Sequence, residues 1–300
     1  MIIAANGESA RGQSVGKQAY YQRQTLRILR LLITYVLLIV ITAFCIFPLV
    51  WILKTSFESP QYIRNPQIQW VPIQFTWDNY REVLTNPRAM IGRSFLNSLL
   101  VSSTSTVFSV VITTLAGYAM SRFRFRGKFA FSVYLVLINM IPATLILISV
   151  FVLLIRLHLV NSYWGLIAFY AAQGIPLATW MLKGYFDSIP LDLEEQAMID
   201  GATRLEAIRH IVAPLALPGI AAVALFIFMS NWNEFMAALT ILQKQELRTL
   251  PVQIINFMGF QRVEWGPVMA YSVIVGLPVG LLFVLVQRQL VGGLTAGFTK

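Results

Sequence analysis

Residues 31–53 read LLITYVLLIVITAFCIFPLVWIL, a run with no charged side chain. A helix that crosses the hydrocarbon core of a bilayer needs about 20 apolar residues, so this stretch is long enough by itself. Five more uncharged runs follow at 94–121, 129–155, 157–182, 211–233 and 265–287. Helices are the expected form, because a lone span must satisfy every backbone polar group internally. The expected fold class is an all-α integral membrane protein with six transmembrane helices. The predicted spans lie near 29–53, 95–120, 129–155, 163–182, 216–241 and 266–287 within a domain covering 29–290.

Composition points the same way. The chain is 57% hydrophobic and 12% charged, whereas an ordinary soluble domain carries about 25% charged residues. Its net charge of +10 raises the question of nucleic acid, but no soluble basic domain is present to bind one. The basic residues fall instead on one side of the predicted spans. Arg11, Lys17, Arg23, Arg27 and Arg30 precede the first, Arg122, Arg124, Arg126 and Lys128 follow the second, and 183–210 follows the fourth. By the positive-inside rule both termini of this multi-pass chain are expected in the cytoplasm. The first run is too long for a signal-peptide core, and 54–59 offers no small-residue cleavage site, so that span is expected to be retained. Cys45 is the sole cysteine and reads as a small buried hydrophobe rather than a redox group.

Between the spans the chain varies in character. Residues 1–25, part of a predicted cytoplasmic tail over 1–28, are polar and expected to lack structure. The segment 54–93 contains Pro60, Pro66, Pro72 and Pro87 with Trp70 and Trp77 among them. That proline density excludes a continuous helix and suggests a small extracytoplasmic cap. The second span is rich in serine and threonine, which suits close helix packing better than a solute-path lining. Asn139 and Pro142 predict a local break in the third span. An apolar piece at 249–260 is too short to cross and reads as an interfacial or re-entrant element.

The most polar cytoplasmic stretch lies within a loop predicted over 184–218. Residues 193–219 read LEEQAMIDGATRLEAIRHIVAPLALPG. The segment 193–200 suits a short helix, Gly201 a joint, and 202–211 a second helix with Leu205, Ile208 and Ile211 on one face. Pro214 and Pro218 are expected to stop that helix and start the next span. Two short helices lying across the membrane surface could plug into a cleft on another protein.

This stretch resembles the permease signature of binding-protein-dependent ABC importers: Glu-Ala-Ala, two residues, Asp-Gly-Ala, and later a proline pair. Glu195, Gln196 and Ala197 stand for the triplet, and Asp200, Gly201 and Ala202 follow at the expected spacing. Gln196 replaces the usual alanine, and Ile208 falls where an aromatic is common. The segments at 116–128 (AGYAMSRFRFRGK), 184–190 (GYFDSIP), 232–235 (WNEF), 249–252 (TLPV), 265–266 and 292–300 (GGLTAGFTK) are similar to the carbohydrate-uptake, maltose-type (MalG-like) permeases. The resemblance implies the type I ABC importer permease fold with a coupling helix that docks on an ATPase. It also implies that the tail 291–300, through Thr295, Ala296 and Gly297, reaches into the ATPase interface.

No glycine-rich run ends in Gly-Lys-Ser/Thr, so the chain has no nucleotide-binding loop. It is expected to be non-catalytic, with no metal or cofactor of its own and with ATP and Mg bound by the partner. The resemblance implies four partners: a second homologous permease subunit (MalF-like), an ABC ATPase dimer, an extracytoplasmic solute-binding protein and a sugar substrate. Membrane lipid surrounds the spans. Glu195, Ala197, Asp200, Gly201, Ala202 and Arg204 are the candidate coupling residues. Asn231, Trp232, Asn233 and Glu234 are candidates for the solute path, because polar groups in a span usually face a bundle interior or cavity. For Trp232 and Glu234 an interfacial anchor and a structural pair stand as equal alternatives. Monosaccharide, oligosaccharide, polyol and glycerol-phosphate importers share this permease type. A secondary transporter would need paired intramembrane charges or an inverted repeat, and a membrane enzyme a catalytic constellation that the spans lack.

Overall fold

The computed structural model describes residues 5–295 apart from 66, 68, 88, 89 and 259–262; side chains are described from residue 26, with 286 and 288–295 excepted as well. The chain divides into two units, 1–55 and 56–300.

The first unit is essentially one helix, α1 (Ala5–Ser56). It is apolar on every side through 31–53, as a lipid-facing span requires. The helix begins at Ala5, so residues 5–25 are helical rather than unstructured as the polar composition suggested. No proline interrupts the chain before Pro48. Alanine, glutamine, lysine and arginine let a helix nucleated in the span extend outward.

The second unit begins with two short helices, α2 (Pro60–Ile63) and α3 (Asp78–Thr85). An isolated bridge between Glu58 and Phe75 closes the loop that holds α2. The spans follow: α4 (Ile91–Arg122), α5 (Lys128–Ile138), α6 (Ala143–Arg156) and α7 (Tyr163–Ser188). After α8 (Asp192–Ile199) and α9 (Arg204–Ala207), a π-helical turn (Ile208–Val212) leads into α10 (Ala213–Asn233). The chain ends in α11 (Met236–Ile241) and α12 (Trp265–Thr295). Among the described residues there is no extended strand, and five helical stretches are long and apolar enough to cross a membrane.

A sixth apolar stretch is α5 with α6, but the two are bent by 95° at their junction. Pro142 lacks an N–H and disfavours helical backbone at the residue before it, so the run 139–142 cannot continue α5. The fifth run also departs from its predicted extent of 216–241. It stops at Asn233, turns at 234–235, and restarts as α11.

The hydroxyl-rich α4 packs on α7 and α10. Ser105 and Thr106 return their hydroxyls to carbonyls of their own helix, while Ser109 reaches the Ala171 carbonyl of α7 at 3.3 Å. Ser94, Asn97 and Ser98, near its N-terminal end, hold the chain at 246–253. Ser98 Oγ accepts from the Leu250 amide at 2.7 Å, and Asn97 donates to the Glu246 and Arg248 carbonyls at 3.0 Å each. These bonds seat a short 3-10 helix, Pro251–Phe257, with Val252 and Gln253 fully buried. Asn97, Ser98 and Ser109 of α4 therefore serve packing.

Candidate functional site

The loop between α7 and α10 is built as a rigid bracket. In α8 the first turn carries Asp192, Glu194 and Glu195, where negative charge favours the helix N-terminus. The helix gives way at Asp200, and Gly201 adopts φ +95°. That backbone conformation is disfavoured for residues with a Cβ. Thr203 then opens α9 with a capping box, its hydroxyl accepting from the Glu206 amide while Glu206 accepts from the Thr203 N–H.

The turn after α9 differs from the predicted stop at Pro214. The helix passes through one π-helical turn into α10 without interruption. The wider turn absorbs an extra residue ahead of Pro214 and shifts the buried face. Ala207 and Val212 consequently face inward, while Leu205 is 74% exposed and Ile208 and Ile211, expected on its face, are half-buried. Gly219 lies where α10 crosses α7. A Cβ there would stand 2.5 Å from the Tyr185 ring, so only glycine permits this approach.

The candidate coupling residues lie along the outer side of the bracket. Glu195, Asp200, Gly201 and Arg204 are exposed, and Ala197 and Ala202 are half-buried. Ile199, 83% exposed, stands among them with Leu205. Arg204 places its guanidinium over the Phe123 ring, 5.0 Å from the centroid, which joins α9 to the end of α4.

The inner side holds residues that the sequence reading passed over. Glu194 is buried, and its carboxylate pairs with Arg122 Nε through one oxygen. The other oxygen accepts from Tyr118 Oη at 2.9 Å. Arg122 also donates to the Phe186 carbonyl at 2.9 Å and the Ile189 carbonyl at 3.0 Å. A weak signal existed: helical spacing puts Glu194 on one face with Ala197 and Met198, away from Glu195 and Ile199.

The four candidates for the solute path separate. Asn231 is buried and donates to Ser105 Oγ at 2.9 Å. Trp232, 1% exposed, stacks on Phe228 and donates to the Val275 carbonyl of α12 at 3.1 Å. The side-chain amide of Asn231 and the indole N–H of Trp232 are thus both engaged by protein partners. Glu234 accepts from Tyr170 Oη at 2.8 Å and from the Ala237 and Ala238 amides, capping α11. Asn233 alone is exposed. A cavity of about 390 Å³, absent from the sequence reading, opens at the α5–α6 bend between Asn139, Pro142, Phe169 and Gln173. Ala296 and Gly297 lie outside the described residues, and Thr295 closes α12 with its side chain undescribed.

A family profile described as the binding-protein-dependent transport system inner membrane component matches residues 109–295, from mid-α4 to the end of α12. The chain belongs to this family. Among similar proteins, the trehalose/maltose transport system permease protein MalG of Thermococcus litoralis is 35% identical over 281 residues, covering 93% of this chain and 99% of that protein. The galactooligosaccharides transport system permease protein GanQ of Bacillus subtilis is 36% identical over 277 residues, covering 91% and 97%. A solved bacterial ABC transporter involved in importing the acidic polysaccharide alginate has a chain with the same fold. The TM-score is 0.72 at 22% identity, covering 86% of this chain and 95% of that one. The protein is thus a multi-pass inner-membrane transport component with the all-α ABC importer permease fold. The matched region contains the whole bracket together with Tyr118, Arg122 and Glu194.

Proposed function

We propose that this transport component is the permease subunit of an ABC importer that moves a sugar or oligosaccharide into the cytoplasm. The observation that carries the reading is the bracket itself, an exposed α8–α9 element with Ile199 and Leu205 uncovered beside Glu195 and Asp200. Large apolar side chains beside acidic ones are what a protein-docking surface needs. The sugar assignment is supported by the names of relatives matched along nearly their full length, a trehalose/maltose and a galactooligosaccharide permease.

In this reading an ABC ATPase dimer binds ATP and Mg, this chain binds neither, and closure of the dimer pushes on α8. The push switches the permease between inward- and outward-facing states, an alternating-access rearrangement of rigid bodies. A second homologous permease subunit completes the path, and an extracytoplasmic solute-binding protein delivers the sugar. Both termini are cytoplasmic, and 295–297 reaches the ATPase interface. Along the path, Asn233 is the remaining candidate of the four. The bend cavity offers the Phe169 ring with the Asn139 and Gln173 amides, a donor set suited to a hydroxylated solute.

The test is uptake by proteoliposomes containing the complete complex. Labelled maltodextrin or galactooligosaccharide should enter only with internal ATP and external binding protein. Uptake of glycerol phosphate or a polyol in place of sugar would reassign the substrate. Uptake driven by an ion gradient without the ATPase would identify a secondary transporter.

A further inference from the structure

We infer that Arg122 is a positioning residue for coupling, locking α8 to the cytoplasmic ends of α4 and α7 so that displacement of α8 is passed to both helices. The inference rests on the reading of α8 as the ATPase-docking helix. Arg122 closes α4, Glu194 sits in the first turn of α8, and Phe186 and Ile189 bracket the end of α7. One guanidinium thus joins three elements.

Four of the five guanidinium N–H donors are engaged. Nε meets Glu194, Nη1 donates to Ser121 Oγ at 3.1 Å and to the Phe186 carbonyl, and Nη2 donates to the Ile189 carbonyl. The last carbonyls of α7 form the negative end of its dipole, where a cation is favoured. A planar fork bonded along three directions fixes the rotation and the position of α8, which a lysine's single ammonium would not do.

Burial sharpens the point. The Arg122 and Glu194 side chains are 6% and 3% exposed. Taking both charges out of water costs about as much as their attraction returns, and apolar packing could replace them at no loss of stability. What such packing could not supply is directional registry. A second bond in the same place, from Ser121 Oγ to Asp187 at 2.6 Å, ties α4 to α7 again. Only residues 189–191 separate α7 from α8, and Ile189 is buried. On the other side, α9 runs into α10 with no joint. The joint at Gly201 lies beyond α8, so it does not interrupt the link from α8 to α7 and α4.

The experiment measures solute moved per ATP hydrolysed by the complete complex in proteoliposomes, alongside retention of the ATPase and the thermal midpoint. Glu194→Gln removes the ionic bond and Tyr118→Phe one hydrogen bond. Glu194→Gln is expected to keep the ATPase bound while solute moved per ATP falls about fivefold. Tyr118→Phe should lower the ratio less, at an unchanged midpoint. Wild-type ratios in both assembled variants would overturn the inference. Should Glu194→Gln fail to assemble, the Tyr118→Phe ratio decides alone. If the wild-type chain itself retained no ATPase, the docking reading would fall instead.

Discussion

Tyr170 of α7 donates its hydroxyl to the Glu234 carboxylate at 2.8 Å, and that carboxylate also accepts the Ala237 and Ala238 amides at 2.8 and 3.0 Å. The fifth span is therefore broken by design. One acidic side chain satisfies the exposed amides at the start of α11 while holding the break against α7.

Replacing Glu234 by alanine strands the Tyr170 hydroxyl and two backbone donors. The expected cost is about 1–3 kcal/mol per buried group left unsatisfied, seen as a lower thermal midpoint of the purified complex. Apparent solute affinity in the surviving fraction should be unchanged, because Glu234 is occupied by protein partners. An affinity loss without destabilisation would return Glu234 to the solute path.

Gly201 acts through its backbone. A Cβ there meets nothing within 4 Å, but φ is +95°. Gly201→Leu should therefore cost only about 1–2 kcal/mol of local strain and leave the protein folded. Transport should nonetheless fall sharply as the α8–α9 turn shifts. Full uptake by this variant would remove the coupling role from the turn.

Gly219 is the opposite case, a steric requirement. Gly219→Ala drives a methyl into the Tyr185 ring and should destabilise by about 1–3 kcal/mol. Adding Tyr185→Ala should recover part of that loss, since the two positions share one contact. Strictly additive midpoints would show that the rings and helices are not in the contact described.

Outside the spans, the pKa of Glu82 in α3 is raised above its ordinary value, first by burial and then by the nearby Glu264 charge and its hydrogen bond. The folded chain holds this proton more tightly than the unfolded chain. Its stabilising contribution is therefore complete below the unfolded pKa and is lost as pH rises through the folded one. Glu82→Gln should raise the thermal midpoint at pH 7.5, and the difference should shrink toward pH 4. A difference that grows on acidification would contradict the sign.

Much of this was legible because lipid imposes a simple code. The run 31–53 and its five successors were readable from the absence of charge, and the Asp200–Gly201–Ala202 joint from its residue types. The breaks were harder. Pro142 announced the α5–α6 bend but not its angle of 95°, which depends on what packs beside it. Glu234 caps α11 locally, but a lone acid among apolar rings does not announce a break at 234–235; the Tyr170 hydroxyl that holds it comes from 64 residues away. The prolines at 214 and 218 suggested a helix stop, yet a single π-helical turn let the helix run on. Glu194 was hidden for a related reason. It reads as one more acid in a polar loop until Arg122, 72 residues earlier, is folded against it.

The central claim is that an external ATPase drives sugar through this chain by pushing on α8. Its most direct measurement is uptake of labelled oligosaccharide into proteoliposomes holding the full complex, comparing wild type with Gly201→Leu. The account predicts ATP- and binding-protein-dependent uptake in the wild type and a large loss in the variant, with the ATPase still able to hydrolyse ATP. Equal uptake by both, or uptake without the ATPase, would contradict it.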